Sequence, residues 1–304
     1  MLWLKKSQSL KKISLQEYLD LIKKQGFNIL KILQYSHGSC VCLTANNTVI
    51  KVLNPSLAKY QFKNLRSANK YFTKQGIKVP NILDFRRLSG FYIIESEYIN
   101  NKLFINKTTL DKTDKFFFKL FNKLSKKSSS KFGPLSMKES LIPSFKNQNY
   151  IGYWDKQFEY FLNKISRHYS LINNIKKCYN ASRKKISVPC YFILSHSDIS
   201  PKHIFAYKSQ IGCVDLEEAM YLDASFMWSL WYVRTINKRS NKSIRDFFYK
   251  ALLQNIDPSW LNFHVCRELF IQYYYQGLLD YFIRDYYKFL KYSNLLHSAR
   301  KLTK

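Results

Sequence analysis

Leu194-Ser-His-Ser-Asp-Ile-Ser-Pro-Lys-His-Ile204, followed after six intervening residues by Ile211-Gly-Cys-Val-Asp-Leu-Glu-Glu218, decides the reading of this 304-residue chain. A short apolar strand, expected at Tyr191–Leu194, delivers His196 and Asp198 into a loop. A second, expected at Ile211–Leu216, delivers Asp215 and Glu217. Asp198 and Asp215 are 17 residues apart, enough for a loop and a returning strand, so the spacing predicts both carboxylates in one cleft. Phosphoryl transfer needs such a pair: one carboxylate orients a hydroxyl and accepts its proton, and the other holds a divalent cation against phosphate oxygens. Simpler roles compete. Asp198 alone could shape the turn before Ser200-Pro201, and Glu217 and Glu218 could be solvated charges. Asp215, on an apolar strand, needs a partner or a metal in either case.

Upstream, Asn28–Tyr35, Cys40–Thr44 and Thr48–Leu53 read as three strands, with the glycine turn Ser36-His-Gly-Ser39 after the first and Asn46-Asn47 before the third. Residues 56–75 are spaced as a helix that Gly76 stops. Val79 opens an extended stretch, and Gly90–Ile99 is a further strand. Beyond residue 100, helical patterns dominate at 113–126, 154–180, 224–236, 242–254 and 264–296. The chain therefore reads as α+β: a small β-rich N-terminal lobe, residues 1–98, and a larger helical C-terminal lobe, residues 99–304.

These stretches resemble the aminoglycoside phosphotransferase and choline kinase family, which has a two-lobed protein-kinase-like fold. His196-Ser-Asp198 with its following loop, then Val214-Asp-Leu-Glu217, resembles the paired acid motifs of that family. The resemblance implies that Asp198 is the catalytic aspartate, with His196 bracing its loop, and that Asp215 and Glu217 hold the metal. The family's metal-ligand asparagine is replaced by His203, which reads either as a substitute ligand or as a packed loop residue. Val49-Ile-Lys-Val52 resembles the strand whose lysine meets the ATP phosphates. Lys51 takes that place, although an exposed strand lysine is the simpler alternative. Gly38 and Ser39 fall in the phosphate-covering loop, and Ile94–Leu103, with Glu97, resembles the hinge behind the adenine. The helix glutamate that should pair with Lys51 is missing, with Asn64 or Leu65 near its position. The resemblance thus implies ATP and Mg2+ as cofactors, with Mn2+ an alternative because imidazole suits softer ions. The implied activity is transfer of the γ-phosphate to a hydroxyl of a small molecule or sugar. The departures at His203 and Asn64 keep a second expectation open, a degenerate pseudokinase that acts as a binding module.

Composition bounds the partners. A hydrophobic content of 46% and an aromatic content of 17% exclude a disordered chain. The net charge of +30 attracts anions, nucleotides and anionic membrane surfaces among them, although a lysine-rich codon bias would produce the same excess. A strongly basic protein is poorly matched to a cationic acceptor. No arginine–lysine block interleaved with stacking aromatics occurs, so nucleic acid is not expected as a partner. The six cysteines form no Cys-x-x-Cys pair and read as reduced thiols, with Cys40 and Cys42 on one sheet face. With no signal-peptide pattern and no long apolar run, the expected location is cytoplasmic, with peripheral contact at the inner membrane face as an option.

Overall fold

Ser14-Leu-Gln-Glu17 opens a helix that the sequence reading did not anticipate. In the computed structural model, which describes residues 12–36, 38–100, 104–105, 108–135, 150–165 and 169–302, α1 spans Leu15–Lys24. Its start is a capping box. Ser14 Oγ accepts from the Glu17 amide, and the Glu17 carboxylate accepts from the Ser14 amide at 2.7 Å. Each bond satisfies a donor that a helix start leaves unpaired.

The strands β1 (Ile29–Ser36), β2 (Ser39–Thr44), β3 (Thr48–Leu53), β4 (Ile82–Leu88) and β5 (Phe91–Glu97) form one antiparallel sheet in the order β1-β2-β3-β5-β4. The two-residue period of a strand sorts their side chains onto two faces. Cys40, Cys42, Ile50, Val52 and Ile93 pack with Tyr18 and Ile22 of α1. Leu53, Tyr92 and Ile94 pack instead with Phe62 of α2 (Pro55–Lys74). Burying one such aliphatic side chain contributes roughly 1.5–3 kcal/mol, so each helix seals its face. Lys51 lies on the α2 face between Val41 of β2 and Ile94 of β5. The stretch expected as merely extended after Val79 contains β4, joined to β5 by Ser89-Gly90 with φ of 48° and 84°. Cys40 and Cys42 do share a face, with sulfurs 3.7 Å apart, and all six cysteines are free.

The helical part holds α3 (Leu110–Leu124), β6 (Ser128–Ser129), β7 (Gly133–Pro134), α4 (Tyr150–Leu162), α5 (Tyr169–Arg183) and β8 (Phe192–Ser195). After β9 (Ile204–Tyr207) and β10 (Gln210–Cys213) come β11 (Met220–Leu222), α6 (Ala224–Thr235), α7 (Asn241–Leu253), α8 (Pro258–Gln276) and α9 (Phe282–Leu302). A small sheet runs β6-β8-β11-β7. Helix α6 is apolar on every side and almost wholly buried, which marks a core helix. Its Trp231 stacks on Phe117 of α3 at 4.7 Å. Two anticipated long helices are each divided. Residues 154–180 split into α4 and α5, and 264–296 splits at Gly277, whose φ of 67° forms the left-handed cap that ends α8.

The fold class is α+β, β-rich at the N-terminal end and helical beyond it. The chain forms two compact units: the first holds the residues up to Phe104 and then His203–Ala219, and the second holds most of the remainder. Among the described residues no helix is long and apolar enough to cross a membrane.

Candidate active site

β9 and β10 form a hairpin closed by Lys208-Ser209, in the register Tyr207↔Gln210 to Ile204↔Cys213. The hairpin belongs to the first unit and is fastened there through Gly212. The Lys78 amide donates to Ile211 O at 2.9 Å, and the Cys213 amide donates to Lys78 O at 3.0 Å. A β-carbon at position 212 would lie 2.2 Å from the Phe205 ring and 2.7 Å from Lys78 O, so only glycine permits this approach.

The strand ends at Cys213, and Asp215 stands beyond it rather than on it, which corrects the expected strand through Leu216. Its backbone has φ of 66°, a left-handed conformation that Asp tolerates better than most residues. The turn carries its carboxylate to Lys51, with Nζ 2.7 Å from Asp215 Oδ1 and 2.7 Å from Glu217 Oε1. Thus Lys51 is no free strand lysine, and Glu217 is buried, not solvated. His203, also buried, places Nε2 3.7 Å from Asp215 Oδ2.

One ammonium between two carboxylates leaves a surplus negative charge, and the titration of the three groups follows from it. Burial opposes the charge on Lys51, but Asp215 and Glu217 outweigh it and hold its pKa above the ordinary lysine value. Lys51 in turn holds Asp215 well below the usual carboxylate range. Burial pushes Glu217 up to about 7 against the pull of Lys51, with Asp215 adding repulsion. Asp215 keeps more contact with solvent, 28% against 6%, so Asp215 stays ionised and Glu217 takes the first proton.

Asn64 does not fill the place of the missing glutamate. It is fully buried on α2, and its Nδ2 donates to Glu217 O at 2.7 Å and Ala219 O at 2.8 Å. The helix thus grips the backbone of the acidic turn, while Glu217 from that turn supplies the second partner of Lys51. Gly38 lies in the turn after β1 and Ser39 opens β2, and both amides donate to Ser36 Oγ at 3.2 Å. His37 of this loop, and Leu103 at the end of the expected hinge, lie outside the described residues. Glu97, at the end of β5, faces Lys78 at 2.9 Å and the Asn81 amide at 3.2 Å, not the Lys51 cluster.

In the second unit β8 leads into the turn that carries Asp198. The Asp198 amide donates to His196 Nδ1 at 3.3 Å, so buried His196 braces the turn. Arg234, which no sequence signal indicated, donates from Nη2 to Asp198 Oδ1 at 3.2 Å.

No protein-family model matches the chain, and no curated protein matches it by sequence. Solved structures do match. The apo form of a thermostable mutant of aminoglycoside phosphotransferase APH(4)-Ia aligns over 93% of this chain and 98% of its own, with a TM-score of 0.61 and 14% identity. The fold is that of the aminoglycoside phosphotransferases. The GDP and kanamycin complex of APH(2") is similar over 94% of this chain and 99% of its own, with a TM-score of 0.58 and 14% identity. Spectinomycin phosphotransferase APH(9)-Ia, in complex with ADP and spectinomycin, is similar over 92% and 95%, with a TM-score of 0.55 and 17% identity. In this aminoglycoside phosphotransferase fold Lys51 of β3 pairs with Asp215 and Glu217, both from the turn after β10.

Proposed function

We propose that the protein is an ATP- and Mg2+-dependent phosphotransferase that moves the γ-phosphoryl group to a hydroxyl of a small molecule or sugar. The observation that carries this reading is the Lys51–Asp215–Glu217 cluster, which combines a phosphate-binding cation with surplus negative charge in a kinase-like fold. Asp215 and Glu217 offer hard carboxylate oxygens of the kind Mg2+ takes, and once Glu217 is ionised they carry one charge more than Lys51 neutralises, so the donor set fits a divalent cation. His203 is placed to join Asp215, and its nitrogen donor admits Mn2+ as well. A bound divalent cation would offset the charge of the β- and γ-phosphates.

The chain's own groups supply the rest. Lys51 turns from the carboxylates toward the phosphates. The Gly38 and Ser39 amides exchange the Ser36 hydroxyl for a phosphate oxygen. Asp198 orients the acceptor hydroxyl and takes its proton as the new O–P bond forms and the bond to the β-phosphate bridging oxygen breaks. The pseudokinase reading loses ground because Glu217 replaces the missing helix glutamate as a partner of Lys51. Nucleotide binding measured with and without Mg2+, followed by ADP release over a panel of hydroxyl acceptors, tests the proposal. Nucleotide binding indifferent to Mg2+ or Mn2+, with no ADP release, would favour the binding module.

A further inference from the structure

Arg234 occupies the last turn of α6, and its guanidinium is aimed from both sides. Nη2 lies 3.2 Å from Asp198 Oδ1. Nη1 donates to Gln272 Oε1 at 3.3 Å, and Gln272, buried on α8, is itself anchored by Nε2 to Val233 O at 3.3 Å. The charged ends nevertheless keep solvent, with Arg234 38% and Asp198 42% exposed. An ion pair this exposed adds little to stability, so the fold does not require it. What the pair does is set a planar, bidentate cation within hydrogen-bond distance of the carboxylate that meets the acceptor.

The surroundings agree with an anion-seeking role. Among the described residues of this unit, the carboxylates paired with a cation include Asp114 with Arg239, Asp155 with Arg183, Asp223 with His264, Glu268 with Arg267 and Asp285 with Arg284. A guanidinium beside the base repels an acceptor bearing several ammonium groups. A carboxylate or phosphate is the group that an arginine fork grips in two parallel bonds, which a lysine cannot reproduce. The chain's +30 charge adds long-range attraction for such an acceptor.

We infer that Arg234 selects the acceptor, whose phosphorylated hydroxyl lies beside an anionic group, a carboxylate or a phosphate ester. The inference rests on the phosphotransferase reading of Asp198. When the acceptor binds, the Arg234 fork passes from Asp198 to the acceptor's anion, one oxyanion replacing another. Asp198 Oδ1 is thereby released to accept the hydroxyl proton. The acceptor oxygen gains the γ-phosphorus, the β-phosphate oxygen leaves with ADP, and the proton remains on Asp198.

Four matched hexoses test this: glucose, glucosamine, glucuronate and glucose 6-phosphate. Their binding to the wild type, Arg234→Gln and Arg234→Lys is measured by saturation-transfer NMR without nucleotide, and their turnover by ADP release. The wild type is expected to bind the two anionic hexoses about tenfold or more tighter than the other two. Glucuronate and glucose 6-phosphate then tell which anion is preferred. Arg234→Gln should erase the preference and raise KM for the anionic acceptor about tenfold while nucleotide affinity holds, and Arg234→Lys should restore only part of it. If Arg234→Gln loses its fold by circular dichroism, Gln272→Leu, which removes the oxygen that aims the guanidinium, should show the same loss of preference. Equal binding of all four sugars, a preference for glucosamine, no binding of either anion at concentrations on the order of 10 mM, or a preference that survives Arg234→Gln each overturns the inference. Failure of the parent reading looks different: nucleotide does not bind with Mg2+, while the NMR comparison still decides the anion preference.

Discussion

Two charged clusters in this protein look alike in composition and differ in closure. In the helical unit, Arg239 grips both oxygens of Asp114 at 2.8 and 3.0 Å, Trp231 donates to the same carboxylate at 2.8 Å, and Arg239 Nε donates to Thr235 at 2.9 Å. The charges balance, the arginine is fully buried, and each group has one geometry. In the β-rich unit, Lys51 faces two carboxylates, charge is left over, and solvent reaches the group through Asp215. A cluster closed on itself holds helices together. A cluster with one more acid than base is where, on the proposed function, a divalent cation would bind.

Removing one acid from each cluster should break this comparison most sharply. Asp114→Ala strands Arg239 as a buried charge and should cost about 3–5 kcal/mol of stability in denaturant melts. Asp215→Ala leaves Lys51 paired with Glu217, so the fold should survive while Mg2+-dependent nucleotide binding disappears. Unfolding of the Asp215 variant by circular dichroism would make that cluster structural after all. Asp198→Asn tests the acceptor side: turnover should drop about 10²-fold or more with ATP affinity little changed, and unaltered turnover would remove Asp198 from the mechanism. Gly212→Ala should destabilise the ligand-free protein by roughly 1–3 kcal/mol, because the added carbon meets a ring and a backbone oxygen. A neutral result there would mean that the hairpin does not need its seat at Lys78.

The smallest effect is a pH dependence that only the unbalanced cluster should show. Glu217 titrates near 7 in the fold against an ordinary value of 4.5. Between those values the folded state binds more protons than the unfolded state, so stability falls as pH rises from about 4.5 to about 7. Glu217→Gln cannot ionise, so the difference in Tm between variant and wild type should widen by a few degrees across that window. A constant difference would mean that Glu217 ionises normally. Asp215, shifted the other way, exerts its influence at more acid pH and leaves this window clear.

What the sequence disclosed and what it withheld divide along contact range. Alternation in β2 and β3, the glycine turn before β2 and the apolar approach to Asp215 are local signals, and they were readable. The capping box at Ser14-Leu-Gln-Glu17 is equally local, but it precedes a helix of only ten residues, too short for its apolar period to stand out. Gly277 inside an aromatic-rich stretch was a stop signal outweighed by the helical period around it. Other features had no local signal. Asn64 looked like a defective glutamate until its amide met the carbonyls of Glu217 and Ala219, more than 150 residues away. Arg234 stands 36 residues beyond Asp198, and only the packing of α6 brings it there. The left-handed backbone at Asp215 could not be read either, since a strand through Leu216 satisfied the same apolar pattern.

Asn64 also bears on control. In protein kinases a lysine–glutamate pair spans strand and helix, and displacing the helix breaks the pair and silences the enzyme. Here both acids on Lys51 come from the turn at 215–217, and α2 holds that turn by neutral amide bonds to its backbone. A shift of this helix would therefore loosen the turn, through Asn64 and through Gln61 Nε2, which donates to Glu218 Oε1 at 3.2 Å, without itself drawing an acid away from Lys51. In the proposed phosphotransferase the pairing of Lys51 is thus set within the turn at 215–217, and the helix bears on it only by holding that turn.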